Sequence, residues 1–186
     1  MKYPHLTKVT LTLSLLFCAL SCSTDQLSES SEKSFISVKV SASPSDFENL
    51  YVELSEIHLK VIDDETHPKC WLRISASNSG IYDLNQLVSG NDVLLIDNSS
   101  APTGSIYEVK LVLGETNYII ENNERIDLFT NVVLQEGLTI RLDTNFNQNE
   151  TYNFILNFDG SNSVFETHIE DHYILKPSLS YRMVKE

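Results

Sequence analysis

One short stretch limits the folds open to this chain. In Thr151–Asp159, TYNFILNFD, the large apolar residues Tyr152, Phe154, Leu156 and Phe158 occupy alternate positions, with Asn153, Ile155 and Asn157 between them. A period of two sends alternate side chains to opposite faces of a strand, whereas a helix would scatter these four around its circumference. Three aromatic rings on one face need apolar partners that a single strand cannot supply, so other strands must cover them. The expected fold is all-β, a β-sandwich built around this strand.

The rest of the chain supplies the other strands. Residues 35–42 alternate Ile36, Val38, Val40 and Ala42, and Ser43-Pro44-Ser45-Asp46 ends the run as a turn. Within residues 50–62, Leu50, Val52 and Leu54 share one parity and Ile57, Leu59 and Val61 the other. An extra residue near Ser55-Glu56 restores inward pointing, which predicts a β-bulge or break there. Residues 63–69 read as a charged loop and residues 71–74 as a short strand. In residues 82–88, Leu84, Leu87 and Val88 fall at helical spacing, predicting one short helical turn capped by Asp83 and ended near Gly90.

Residues 93–96 follow as a short buried strand, and Ala101-Pro102-Thr103-Gly104 as a turn. Tyr107, Val109, Leu111 and Leu113 alternate up to Gly114. Tyr118–Glu121 and residues 125–129 flank Asn122-Asn123-Glu124, a hairpin pattern. Leu138, Ile140 and Leu142 form a further strand, and Asp159-Gly160-Ser161-Asn162 turns into residues 163–166. The last strand, residues 173–184, contains Pro177, which cannot donate to a ladder and places that strand on an edge or at a bulge. Many short strands with little helix favour a sandwich over an α/β fold.

The N-terminus reads differently. Lys2, His5 and Lys8 precede the apolar run of residues 9–20, the layout of a secretory signal. That run is about a dozen residues, short of the ~20 a spanning helix needs. It ends Ala19-Leu20-Ser21-Cys22, which resembles the lipobox of bacterial lipoproteins. The resemblance implies cleavage before Cys22 and a diacylglycerol on its thiol. The expected organisation is a lipoprotein signal peptide over residues 1–21, lipidated Cys22 and a Ser-rich flexible tether over residues 22–33, and a β-sandwich domain over residues 34–186.

Charge and cysteine count narrow the function. The chain of 186 residues is 41% hydrophobic and 21% charged, fitting a globular domain, with a net charge of −13. Lys2 and Lys8 are the formally charged residues before Cys22, so without them eleven basic face 26 acidic residues, a net −15. Such a surface repels nucleic acid, which is not an expected partner. Cys18 leaves with the signal and Cys22 is acylated, so Cys70 has no disulfide partner and reads as a small buried hydrophobe.

Phosphate loops, nucleophile elbows and HExxH patterns are absent from the sequence. His168 and His172, with Glu166, Glu170 and Asp171, are the best metal-like cluster, but they fall in an expected turn, where a solvated hairpin tip is the plainer reading. Asp159-Gly160-Ser161-Asn162 offers oxygens to calcium but lacks alternating carboxylates, and Asp159 capping its own turn explains it better. Trp71 suits either core packing or stacking on a sugar ring. Trp71, His168 and His172 are therefore the ligand-binding candidates, with no catalytic residue, metal or cofactor expected.

Taken in order, these segments resemble the domain of unknown function 4382 family of Gram-negative cell-envelope lipoproteins. The resemblance rests on Val38–Val40 before the Pro44-Ser45-Asp46 turn, Val52-Glu53-Leu54, Trp71, and Tyr82-Asp83-Leu84 with Leu87 and Gly90. Pro102 and Gly104 leading into Tyr107, Phe158-Asp159 with Ser163-Val164, and Tyr173-Ile174-Leu175-Lys176-Pro177 complete it. It implies a Greek-key sandwich of prealbumin- or immunoglobulin-like type, and it supplies no catalytic residues.

The expected function is a lipid-anchored protein of the outer membrane whose sandwich is a non-catalytic binding or structural module. Its partners are the membrane, through the lipid, and an envelope protein or glycan. Two alternatives stand beside it: a subunit of a surface fibre or envelope complex recruited through a sheet edge, and a carbohydrate-active hydrolase using two carboxylates.

Overall fold

The computed structural model describes residues 32–88, 90–130, 137–168 and 172–185, all within one compact unit beginning at Ser31. Cys22, Glu170 and Asp171 lie outside the described residues. The protein is an all-β sandwich with a single 3-10 turn among the described residues.

The smaller sheet is built on β1 (Lys33–Ser43) and β9 (Thr151–Asp159), which run parallel in unbroken register from Phe35 opposite Thr151 to Ser43 opposite Asp159. β4 (Val93–Pro102) flanks β1, and β12 (Leu179–Lys185) flanks β9, both antiparallel. The alternation of β9 is realised without exception: Tyr152, Phe154, Leu156 and Phe158 are buried and every residue between them is half-buried. Ile36, Val38, Val40 and Ala42 bury the same face of β1. Each Val, Leu, Ile or Phe side chain so removed from water contributes about 1.5–3 kcal/mol.

The larger sheet centres on β2 (Asn49–Lys60). Its register shifts between Leu54 and Glu56 against both neighbours, so Leu50, Val52 and Leu54 before the shift and Ile57 and Leu59 after it all face the core. That is the bulge the parity change demanded. β3 (Trp71–Asp83) pairs along one side of β2. On the other side lie β5 (Gly104–Leu113) and then β6 (Tyr118–Glu121). β8 (Leu138–Phe146) extends the sheet beyond β5. Beyond β6 come β7 (Glu124–Phe129), β11 (Tyr173–Leu175) and β10 (Val164–Glu166). Asn122 and Asn123 take φ of 50° and 63° between β6 and β7, the two-residue hairpin turn that asparagine tolerates.

Four expectations are corrected. The short strand at residues 71–74 is the start of the much longer β3. Its pairing jumps from Leu54–Gly80 to Glu56–Ser75, so Ala76, Ser77, Asn78 and Ser79 bulge out, and Asn78 Nδ2 donates to the Leu94 carbonyl across the sandwich (2.7 Å). Strand β4 likewise continues to Pro102, so the bend expected over residues 101–104 narrows to Thr103 and Gly104. There the chain changes sheets, with Gly104 at φ +102°, where a side chain would be strained. In β5, Ile106 rather than Tyr107 is buried, because the register against β8 slips between Ile106 and Glu108. Finally, the single C-terminal strand is two: Pro177 falls between β11 in the larger sheet and β12 in the smaller.

The helical turn is Leu84–Gln86, with the Asp83 side chain accepting from the Asn85 N–H as expected of its cap and Leu84 and Leu87 buried. Cys70 is buried and unpaired. No described helix is long and apolar enough to cross a membrane.

Candidate functional site

Trp71 is half-buried, and its ring face is occupied: Lys110 Nζ sits 4.0 Å from the ring centroid. It neither joins the core nor offers that face to a ligand. Beside it Lys60, at 4% exposure, reaches Glu65 (2.7 Å), Glu108 (3.1 Å) and Asp63 (3.2 Å). Bonds to Glu65 and then Glu108 raise the Lys60 ammonium above its ordinary range, while bonding to Lys60, with a smaller share from Trp71, lowers the Glu65 carboxyl. The charged loop is thus strapped over β2 by a lysine already neutralised, and Trp71 is part of that strap.

The turn after β9 closes on itself. The Asp159 carboxylate accepts from Asn162 Nδ2 (2.9 Å), Ser161 Oγ (3.1 Å) and Ser43 Oγ (3.3 Å), and the Asn162 bond leads in holding its carboxyl below the usual range. These oxygens are spent on the turn. Among the described residues no three His, Cys, Asp or Glu side chains are placed to hold a metal.

His168 and His172 are exposed, and the Thr167 N–H donates to the His172 carbonyl (2.8 Å), closing the β10–β11 hairpin. The His172 ring lies parallel to Phe129, with centroids 5.6 Å apart. Phe129 belongs to an apolar row that periodicity did not single out. It pairs with Ile174, and Ile174 pairs with Phe165, so three consecutive strands present Phe129, Ile174 and Phe165 side by side at 58%, 38% and 48% exposure. At the usual strand spacing the two phenylalanines stand about 10 Å apart.

The same strands bury Leu128, Leu175 and Val164 on their inner face. At Phe129, Ile174 and Phe165 the sheet is therefore apolar on both faces, where one solvated side should be polar outward. Scattered exposed apolar residues need no explanation, but a contiguous row does. Next to it Tyr118 stacks on Tyr51 (4.6 Å, 17°) beneath Arg125 (4.0 Å), whose Nη2 is 2.7 Å from Asp127. Both faces of Tyr118 are taken and His172 covers one face of Phe129, which leaves the ring of Phe165 and the remaining face of Phe129 exposed. Glu166, once a candidate carboxylate, is exposed on β10.

The row has a definite place. Gly160 N donates to the Ser43 carbonyl (3.2 Å), Lys176 N to the Ser163 carbonyl (2.8 Å), and Tyr173 packs edge-on against Phe47 (5.5 Å). These contacts tie β10 and β11 to the end of β1 opposite Lys33, about 35 Å away along an 11-residue strand. Beside Lys33, at the other end, is an open hollow of about 540 Å³ lined by Leu72, Ala101, Pro102 and Thr103.

These features define a β-sandwich with an aromatic face at one pole. Residues 33–177 match the family described as a domain of unknown function (DUF4382), and the chain belongs to that family. No curated protein and no solved structure matches the chain.

Proposed function

We propose that this is a lipid-anchored protein of the Gram-negative cell envelope, held at the outer membrane through Cys22, whose sandwich is a non-catalytic binding module. One observation carries the reading: the doubly apolar margin around Phe129, Ile174 and Phe165 lies at the pole opposite Lys33, where the chain enters the domain. The signal-like residues 1–21, Ser21-Cys22 and the polar residues that follow support the anchor. The acid excess argues against nucleic acid as partner.

Intact-mass analysis of the mature protein should show a lipid-sized increment on a chain beginning at Cys22. A Cys22→Ala variant should lack it and leave the membrane fraction. A freely secreted, unmodified wild-type product would overturn the anchoring.

A further inference from the structure

We infer that the row Phe129–Ile174–Phe165, with His172 and the Arg125–Asp127 pair at its rim, is a binding face for a neutral glycan chain. The inference deepens the binding-module reading and rests on it.

Three observations select this partner. The first is the kind of surface. Phe129 and Phe165 are about half-exposed, and a sugar ring presents an axial C–H face whose positive edge suits the negative face of an aromatic ring. Arg125 and Asp127, paired with each other, border the row with a planar donor and an acceptor suited to equatorial hydroxyls.

The second is area. An aromatic side chain covers about 150–250 Å², so the exposed parts of the three side chains come to roughly 300 Å². One side of a standard protein interface covers about 800 Å², so the row alone falls well short of a stable dimer's contact but is ample for a few sugar rings. The third is charge. Arg125 and Asp127 neutralise each other on a chain of net charge −13, which disfavours anionic polymers.

The test uses full-length protein in a non-glycoside detergent. Calorimetry is run against cellohexaose, laminarihexaose and maltohexaose, with an oligogalacturonide as the anionic control. At least one neutral hexasaccharide should bind, with little dependence on salt, and the oligogalacturonide should bind more weakly. Phe129→Ser and Phe165→Ser should each weaken binding about tenfold or more, by analogy with the stacking of planar bases on aromatic rings. Phe129→Tyr should retain binding, and Trp71→Ala should leave it unchanged. Circular dichroism confirms that each variant is folded.

Failure of all three neutral sugars to bind, or binding that survives Phe129→Ser/Phe165→Ser, would overturn the inference. So would sedimentation of the wild type as a dimer that this double variant abolishes, with no sugar bound; that result assigns the face to a contact between copies. None of these outcomes depends on the mass increment at Cys22, so the glycan inference and the anchoring fail separately.

Discussion

Two apolar rows in this molecule use the same side chains to opposite ends. Tyr152, Phe154, Leu156 and Phe158 run along one strand and are sealed; Phe129, Ile174 and Phe165 run across three strands and stand in solvent. The difference lies in what surrounds each row. β9 is flanked by β1 and β12, and its row points at the facing sheet. β7, β11 and β10 form a sheet margin whose inner face is already filled by Leu128, Leu175 and Val164. The outer row therefore buries far less of each side chain than the inner row does. The inner row should answer to stability measurements and the outer row to binding measurements.

The largest expected effect is in the inner row. Phe154→Ala should destabilise the protein by about 3–5 kcal/mol in urea unfolding, the range for deleting a fully buried phenylalanine. Asn157, on the opposite face of β9, accepts from Ser41 Oγ (3.2 Å) and is half-buried, so Asn157→Ala should cost about 1 kcal/mol. Equal losses would break the comparison at its first term, because the alternation of β9 would then carry no energetic meaning.

That alternation was fully legible in the sequence, as were the β2 bulge, the Asn122-Asn123 hairpin and the Asp83 cap, because each is set by residues adjacent in the chain. The slip at Tyr107 was not. Tyr107, Val109 and Leu111 look continuous, and the bulge that breaks their parity arises in pairing with β8. Nor was the length of β3, since Ser-Asn-Ser-Gly has low strand propensity and is held by the pairing of Gly80 with Leu54 and the bond from Asn78 to Leu94. The aromatic face was illegible for a related reason. Phe129 and Leu128, or Phe165 and Val164, are adjacent apolar residues, and only the topology says which of each pair meets the core. Of the candidates read from sequence, His172 belongs to that face, Trp71 does not, and Phe129, Phe165 and Ile174 went unnoticed.

A second prediction sharpens how the pole beneath the row is held. A Cβ on Gly160 would lie 2.5 Å from the Ser43 carbonyl oxygen and 2.8 Å from Ser45 N, both backbone atoms that cannot swing aside. Gly160→Ala should cost about 1–3 kcal/mol, the usual penalty for overpacking, measured as a fall in the urea midpoint. A neutral result would show that β1 and the β9–β10 turn are looser than their hydrogen bonds imply.

Acid should act more gently. Glu150 is held below the usual carboxylate range first by Lys185, Glu65 by Lys60, and Asp159 by Asn162. A group whose folded value is depressed stabilises fully above its unfolded value and loses that contribution as pH falls through the folded one. The urea midpoint should therefore stay level down to about pH 5, then decline below the ordinary carboxyl values of 3.8 to 4.5. Raised Lys60 works in the other direction, its contribution present below its ordinary 10.5 and lost only in strong alkali. A midpoint that rises on acidification would contradict the carboxylate assignments.

The smallest expected effect is the most informative about the outer row. Phe129 and Phe165 are about half-exposed on a face away from the core, so truncating them removes far less buried area than truncating Phe154 does. Phe129→Ala and Phe165→Ala should each cost about 0.5–1.5 kcal/mol of unfolding free energy, well below the loss at Phe154. The cross-strand contact with Ile174 and the stacking of His172 on Phe129 set the upper end of that range. A loss of several kcal/mol from either would mean that the rings are structural and that both rows belong to one core. A loss within that range joined to a large loss of sugar binding would separate the two rows, since a side chain that folding needs little but a ligand needs much has been placed there for the ligand.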